Sequence, residues 1–253
     1  MAKGVALVTG ASARIGRALA IGLGRAGWAV AVHHNRSAEG ADAVVGAIED
    51  AGGKALAVAA DLAREDEVAG LIGAVADALG PVSCLVNNAS VFEYDSVETT
   101  TRESWDGHIA VNLRAPLVLI QAMAGQLPDG VQGNVINMID QRVWSLTPHF
   151  LSYTVSKAGL WTLTQTLALA LAPRVRVNAI GPGPTLPSAR QSREQFDAQV
   201  AATPLRRGAT ADEIVATALF LLDAPAITGQ MIAPDGGQHL GWAHPPDRAG
   251  FSE

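Results

Sequence analysis

Val5-Ala6-Leu7-Val8-Thr9-Gly10-Ala11-Ser12-Ala13-Arg14-Ile15-Gly16 runs from an apolar stretch through a glycine-bracketed turn into a helical pattern. Val5–Val8 reads as a buried strand, and Ile15–Ala26 carries helical spacing behind it. Gly10 lets the chain turn sharply, and Gly16 allows close backbone approach. The helix start offers amide N–H groups and a positive dipole end to a pyrophosphate. Glycines at such a turn also serve purely structural ends. A position after the first strand of a long βαβ series makes this one a dinucleotide site, with Gly10, Arg14, Ile15 and Gly16 around the cofactor.

The series is present. Strand-like runs at Val5–Val8, Ala29–Val32, Ala55–Ala59, Val82–Val86, Asn134–Met138, Val175–Ile180 and Gln230–Ala233 alternate with helical segments. Those segments are Ile15–Ala26, Ala38–Ala51, Glu65–Leu79, Arg102–Gln126, Tyr153–Ala172 and Ala211–Leu222. The pattern predicts an α/β fold, a Rossmann-type doubly wound, seven-stranded parallel sheet with helices on both faces. No repeat or linker divides the chain, so one domain is expected over residues 1–253. The largest irregular region, Gly181 to Gly208, carries Pro182, Pro184, Pro187 and Pro204 and is expected to be a substrate loop. The tail after Asp235, with Trp242, His244 and Pro245–Pro246, is expected on the surface or against another subunit.

A net charge of -6 argues against nucleic acid as a partner, because phosphate backbones demand a basic surface. Cys84, the single cysteine, lies in the apolar run Val82–Val86 and reads as a buried hydrophobe. No secretory leader is evident, and the longest apolar stretch, Ala158–Ala172, is interrupted by Thr162, Thr164, Gln165 and Thr166. No membrane contact and a cytoplasmic location are expected. The histidines His108, His149, His239 and His244 show no metal-ligand spacing, so no metal is expected. Trp144 follows Asp140 closely enough to border a pocket there.

The second strand ends in His33-His34-Asn35-Arg36-Ser37. NAD sites place an acid here for the adenosine ribose, and none is present. Arg36 can pair with a 2'-phosphate while Asn35 and Ser37 donate hydrogen bonds, which points to NADPH. The plainer alternative is a solvated turn with Ser37 as a helix N-cap. Farther on, Tyr153 and Lys157 stand four apart at a helix start, on one face. A cation there lowers a phenol's pKa and makes it a better acid.

With these residues in place, the chain resembles the short-chain dehydrogenase/reductase family over almost its whole length. The shared features are Thr9, Gly10 and Gly16, Asp61, Asn87-Asn88-Ala89, Asn112, the Tyr153–Lys157 pair, Pro182-Gly183 and Asp235-Gly236-Gly237. The resemblance implies that Asp61 contacts adenine and that Leu62, Asn88, Ala89, Ser90, Pro182, Gly183 and His33 also border the cofactor. Asn112 would hold a proton-relay water, and Lys157 would bind the nicotinamide ribose. It further implies a homotetramer packed through the helices around Arg102–Gln126 and Tyr153–Ala172.

Two departures narrow the expectation. Arg14 stands where the family usually has glycine, and Asp140 where it has a serine that donates to a substrate carbonyl. An ionised carboxylate cannot donate, and it repels charge developing on a ketone oxygen. It suits a substrate that takes a proton on nitrogen and offers N–H donors, unless Asp140 is merely a loop residue. In both departures, and in Asn88-Ala89-Ser90-Val91-Phe92, the chain resembles pteridine reductases and the short-chain dihydromonapterin/dihydrofolate reductases. That likeness makes Asp140, Tyr153, Lys157 and Asn112 catalytic, and Arg14, Phe92, Asp140 and Tyr153 substrate-binding, with Phe92 stacking on a pterin. Phe92 as an ordinary core aromatic is the plainer reading. The competing enzyme reading is a carbonyl reductase acting on a ketone such as a 3-oxoacyl thioester. A non-catalytic nucleotide sensor is the reading from another class, and the retained Tyr153 and Lys157 weigh against it.

Overall fold

The computed structural model describes residues 3–188 and 190–241, so the expectations for Trp242, His244 and Pro245–Pro246 lie outside the described residues. Seven strands form one parallel sheet: β1 (Val5–Val8), β2 (Ala29–His34), β3 (Lys54–Ala59), β4 (Val82–Asn87), β5 (Gly133–Met138), β6 (Val175–Ile180) and β7 (Met231–Ile232). They lie side by side in the order β3-β2-β1-β4-β5-β6-β7. This reversal at β1 is the doubly wound arrangement the alternating pattern predicts, and it opens a crevice at the carboxyl ends of β1 and β4.

Alternation along β1 shows how the layers form. Leu7 faces one core with Leu85, Leu119 and Val135, under α3 (Glu65–Leu79) and α5 (Ala115–Gln126). Ala6 and Val8 face the other, under α1 (Arg14–Arg25), α2 (Ala38–Glu49) and α8 (Ala211–Asp223). Both faces of the strands are therefore apolar, which is why they read as continuous hydrophobic runs. Cys84 lies in this second core, and burial pushes its thiol up to about 12. Arg176 on β6 is also buried, and its guanidinium donates to the carbonyls of Leu221, Leu222, Ala224 and Ile227 at 2.8–3.1 Å. A cation here neutralises the negative end of α8.

Strand and helix ends shift by a residue or two from the sequence reading, and some differences are larger. The segment Arg102–Gln126 is interrupted: α4 (Arg102–Ile109) passes through a π-helical turn, Ala110–Arg114, into α5. Pro116 lies in the first turn of α5 and has no N–H to give the carbonyl of Asn112, so the regular helical ladder cannot run through. The region 181–208 is not wholly irregular, because α7 (Arg193–Ala201) forms inside it behind a Ser192–Gln195 capping box. α6 (Leu151–Leu171) begins before Tyr153, and Ser37 occupies the N-cap position of α2 without a side-chain hydrogen bond. Among the described residues no helix is long and apolar enough to cross a membrane.

The Arg176 clamp yields a stability prediction. Arg176→Ala should cost about 3 kcal/mol by orphaning the α8 carbonyls. Thermal unfolding of purified protein checks it, and a Tm within a degree of the parent would refute the clamp.

Candidate active site

The glycine turn is pinned from behind. Gly10 has φ 61°, and a Cβ there would lie 2.9 Å from the Cα of Ala89; one on Gly16 would lie 2.2 Å from the Gly10 carbonyl oxygen. Asn88 Nδ2 donates to the carbonyls of Thr9 (2.8 Å) and Gly10 (3.1 Å), while Thr9 Oγ1 accepts from the amides of Asn88 and Ala89. α1 then starts at Arg14 with Ala13 at its cap position, no side-chain cap and no acidic residue in its first turn. A helix start left uncapped by its own protein fits an anionic phosphate.

His33 supports the glycine turn from the β2 side. It is buried, its Nδ1 accepts the Gly10 amide at 3.0 Å, and its Nε2 donates to the Ala60 carbonyl at 3.1 Å. Both ring nitrogens are spent on protein, so it shapes the turn from beneath. Burial drives its pKa down to about 4, with His34 adding to that and the Ala60 bond opposing it. The Leu62 side chain packs in the core. Asp61 Oδ1 accepts the Ala63 amide. Asn35, Arg36 and Ser37 are exposed at the end of β2.

At the carboxyl end of β5, Asp140 holds its carboxylate in place through the Arg142 amide, which donates to Oδ1 at 2.8 Å. The Tyr153 hydroxyl donates to Oδ2 at 3.1 Å. Burial and then the Asp140 charge and hydrogen bond raise the Tyr153 pKa well above the usual phenol value, with Arg142 opposing weakly. The Asp140 charge thus opposes the pull of Lys157 and helps keep the phenol protonated. Lys157 Nζ donates to the Met138 carbonyl at 2.7 Å and lies 5.8 Å from the Tyr153 ring centroid. Burial lowers its own pKa to about 8, with Asp140 opposing. The phenol thus keeps its proton, and the lysine gives up its own more easily than in water.

Asn112 sits in the π-helical turn with its amide fully committed. Oδ1 accepts from the Val91 amide (2.8 Å) and lies 3.2 Å from Ser90 Oγ, while Nδ2 donates to the Val91 carbonyl and to Ser156 Oγ. Its side chain has no group left for a relay water. Its backbone carbonyl has no donor four residues on, because that residue is Pro116.

Asp140 and Tyr153 open into a cleft of about 460 Å³ that Arg14, Ile15, Pro182 and Gly183 also line, a volume that suits a small-molecule ligand. Arg14, in left-handed conformation at φ 52°, donates to the carbonyls of Pro187 (2.8 Å) and Leu186 (3.1 Å). It thereby ties the glycine turn to the loop over the cleft. Phe92 lines the cleft but does not stand alone: Phe150 stacks on it at 4.4 Å, and Tyr153 meets it edge-on at 4.6 Å. Sequence reasoning missed Phe150, Arg142 and Arg190. Arg142 covers the Phe150 ring at 5.1 Å, and Arg190 bonds the Phe92 carbonyl and the Glu93 carboxylate. No sequence spacing signals these, because loops bring them together. Trp144 turns away from the cleft, packing edge-on against Trp161 and His239. His149 lies 3.3 Å from the Tyr94 hydroxyl.

Residues 10–239 match the family model described as enoyl-(acyl carrier protein) reductase. The chain belongs to the short-chain dehydrogenase/reductase family and is an oxidoreductase. It is similar to FolM alternative dihydrofolate reductase 1 from Brucella suis in complex with NADP, with 49% identity and a TM-score of 0.93 over 96% of this chain and 98% of that one. An uncharacterised oxidoreductase of Methylorubrum extorquens is 38% identical, covering 92% of this chain and 96% of the relative. A 3-oxoacyl-[acyl-carrier-protein] reductase of Synechocystis is 36% identical with the same coverage.

The His33 environment predicts an acid sensitivity. The unfolded chain takes up a proton near pH 6.5 and the folded one only near pH 4, so stability falls across that window as pH drops. The loss from this group is about 3 kcal/mol. Urea unfolding between pH 7 and pH 4 should show a shallower acid decline in His33→Gln, and parallel declines would contradict the assignment.

Proposed function

We propose that the chain uses NADPH to reduce the C=N bond of a pteridine of the dihydropterin or dihydrofolate type. The observation that carries this reading is the Asp140 carboxylate accepting the Tyr153 hydroxyl, in a position where the family's usual serine would donate. A carboxylate at that point accepts N–H groups from an aminopteridine ring and holds it in register. The likeness to the Brucella FolM proteins supports the same reading.

Each residue has a defined task in it. The uncapped start of α1 receives the pyrophosphate, and Arg36, with Asn35 and Ser37, receives the 2'-phosphate. A nicotinamide cofactor held there would supply the hydride for the C=N carbon. Tyr153 gives its hydroxyl proton to the ring nitrogen, leaving a phenolate that the nearby Lys157 ammonium stabilises. Lys157 also anchors the nicotinamide ribose. Phe92 and Phe150 provide the aromatic wall for the ring, and Arg14 faces the phosphates and the substrate while holding the loop over it. Asp61, Ala89, Ser90, Pro182 and Gly183 border the cofactor.

The second reading, a ketoreductase acting on a 3-oxoacyl thioester, is favoured by the 35–36% identity to 3-oxoacyl-[acyl-carrier-protein] reductases. It leaves Asp140 without a task. Oxidation of NADPH with dihydrobiopterin, dihydrofolate and a 3-oxoacyl thioester separates the two. Asp140→Ser should lower dihydropterin reduction by about a hundredfold or more. Undiminished turnover would remove the pteridine reading. Arg36→Ala should weaken NADPH binding about tenfold and leave NADH binding unchanged. Equal affinity of the parent for both cofactors would overturn the NADPH assignment. A homotetramer is also proposed: Leu113, Leu117 and Leu163 line an open groove between the π-helical turn, α5 and α6. Light scattering decides it.

A further inference from the structure

α6 carries both Tyr153 and Lys157, yet nothing local caps its N-terminus. The cap position is Phe150, a bulky residue in left-handed conformation (φ 58°) with no side-chain hydrogen bond. The cap arrives from the loop after β4. The backbone carbonyl of Asp95 accepts the amides of Phe150 (2.8 Å) and Leu151 (3.3 Å). Its carboxylate accepts the Ser152 amide at 3.1 Å through Oδ1 and the Ser152 hydroxyl through Oδ2. Three successive amides at the helix start therefore end on one residue.

His108 of α4 closes the arrangement. Its Nε2 accepts the Glu93 amide at 3.1 Å, which leaves the ring proton on Nδ1. Nδ1 lies 2.8 Å from the Ser104 carbonyl and 2.7 Å from Ser152 Oγ. Asp95, His108 and Ser152 are each no more than 1% exposed. They do not form a nucleophilic triad: the serine hydroxyl points at the carboxylate, the imidazole nitrogen beside it carries a proton, and no substrate path reaches it.

We propose that Asp95, backed by Ser152 and His108, is the positioning group that sets the Tyr153 phenol against the aromatic wall of the cleft. The loop holding Asp95 also holds Phe92, whose ring stacks on Phe150, so one residue joins the ligand-facing wall to the helix bearing the proton donor. A negative carboxylate also matches the positive end of α6. Burial pushes the Asp95 carboxyl up, but hydrogen bonds from Ser152 and Ser104 outweigh it and keep it ionised below the usual range. Without the Asp95 carboxylate, the buried amide and hydroxyl of Ser152 lose their acceptor, and the first turn, with Tyr153 as its third residue, loosens.

The test uses amide hydrogen exchange and steady-state kinetics on the full chain. Asp95→Ala should speed exchange at residues 150–154 about tenfold. It should also lower kcat about tenfold while leaving the KM for NADPH unchanged. Asp95→Asn, which keeps an oxygen for the Ser152 amide, should recover most of both. Wild-type exchange and kcat in Asp95→Ala would overturn the proposal. So would a loss in which kcat and the KM for NADPH worsen together alongside exchange throughout the sheet. If Asp95→Ala does not fold, Ser152→Ala decides, with a several-fold lower kcat expected and a wild-type kcat fatal. The proposal rests on Tyr153 as proton donor and not on the pteridine. A parent enzyme that reduces the 3-oxoacyl thioester but not dihydrobiopterin ends the pteridine reading, and the same variants are then measured on the thioester.

Discussion

A hydrogen bond from a buried phenol to a carboxylate organises the cleft. Between Tyr153 and Asp140 it couples the end of β5 to the start of α6, and it keeps the proton on the phenol. In water such a pair would count for little. In a buried setting the carboxylate's charge acts strongly on its neighbour, because few solvent dipoles screen it. The same low-dielectric setting lowers the Lys157 pKa. The phenol thereby holds its proton more tightly than in water, and the lysine less tightly.

The sheet supplies the frame for that redistribution. Reversal of strand order at β1 leaves a crevice, and residues at the ends of β1, β4 and β5 project into it. Polar contacts then stiffen each wall separately. Asn88 and Thr9 fix the glycine turn, Asn112 fixes the Ser90–Val91 segment against α6, and His33 props the turn from the β2 side. Several residues that sequence comparison would place against a ligand thus spend their side chains on one another. Their contribution is shape.

Most of the fold was legible in the sequence because its physical causes are local. Seven apolar runs and their intervening helices follow from periodicity, and the turn at Gly10 follows from backbone freedom. The break at Ala110–Arg114 was marked by Pro116 and overlooked within a long helical pattern. α7 was hidden by flanking prolines, although its Ser192-x-x-Gln195 signature was present. In the cleft, Asp140, Tyr153 and Lys157 were legible as a register along one strand and one helix. Phe150, Arg142 and Asp95 were not, since their neighbours are set by loops that no spacing rule constrains. Burial, which no spacing reveals, adds to the Asp140 charge in holding the phenol protonated against Lys157.

Arg14 illustrates a conflict between robustness and performance. A side chain at φ 52° costs about 1 kcal/mol relative to glycine, a cost borne at the most constrained turn of the molecule. What that side chain returns is two hydrogen bonds to Leu186 and Pro187, which order the roof of the cleft. Glycine at this position would relieve the backbone strain and release the roof in the same step, so the conformation of one turn and the order of the loop above it are set by a single side chain.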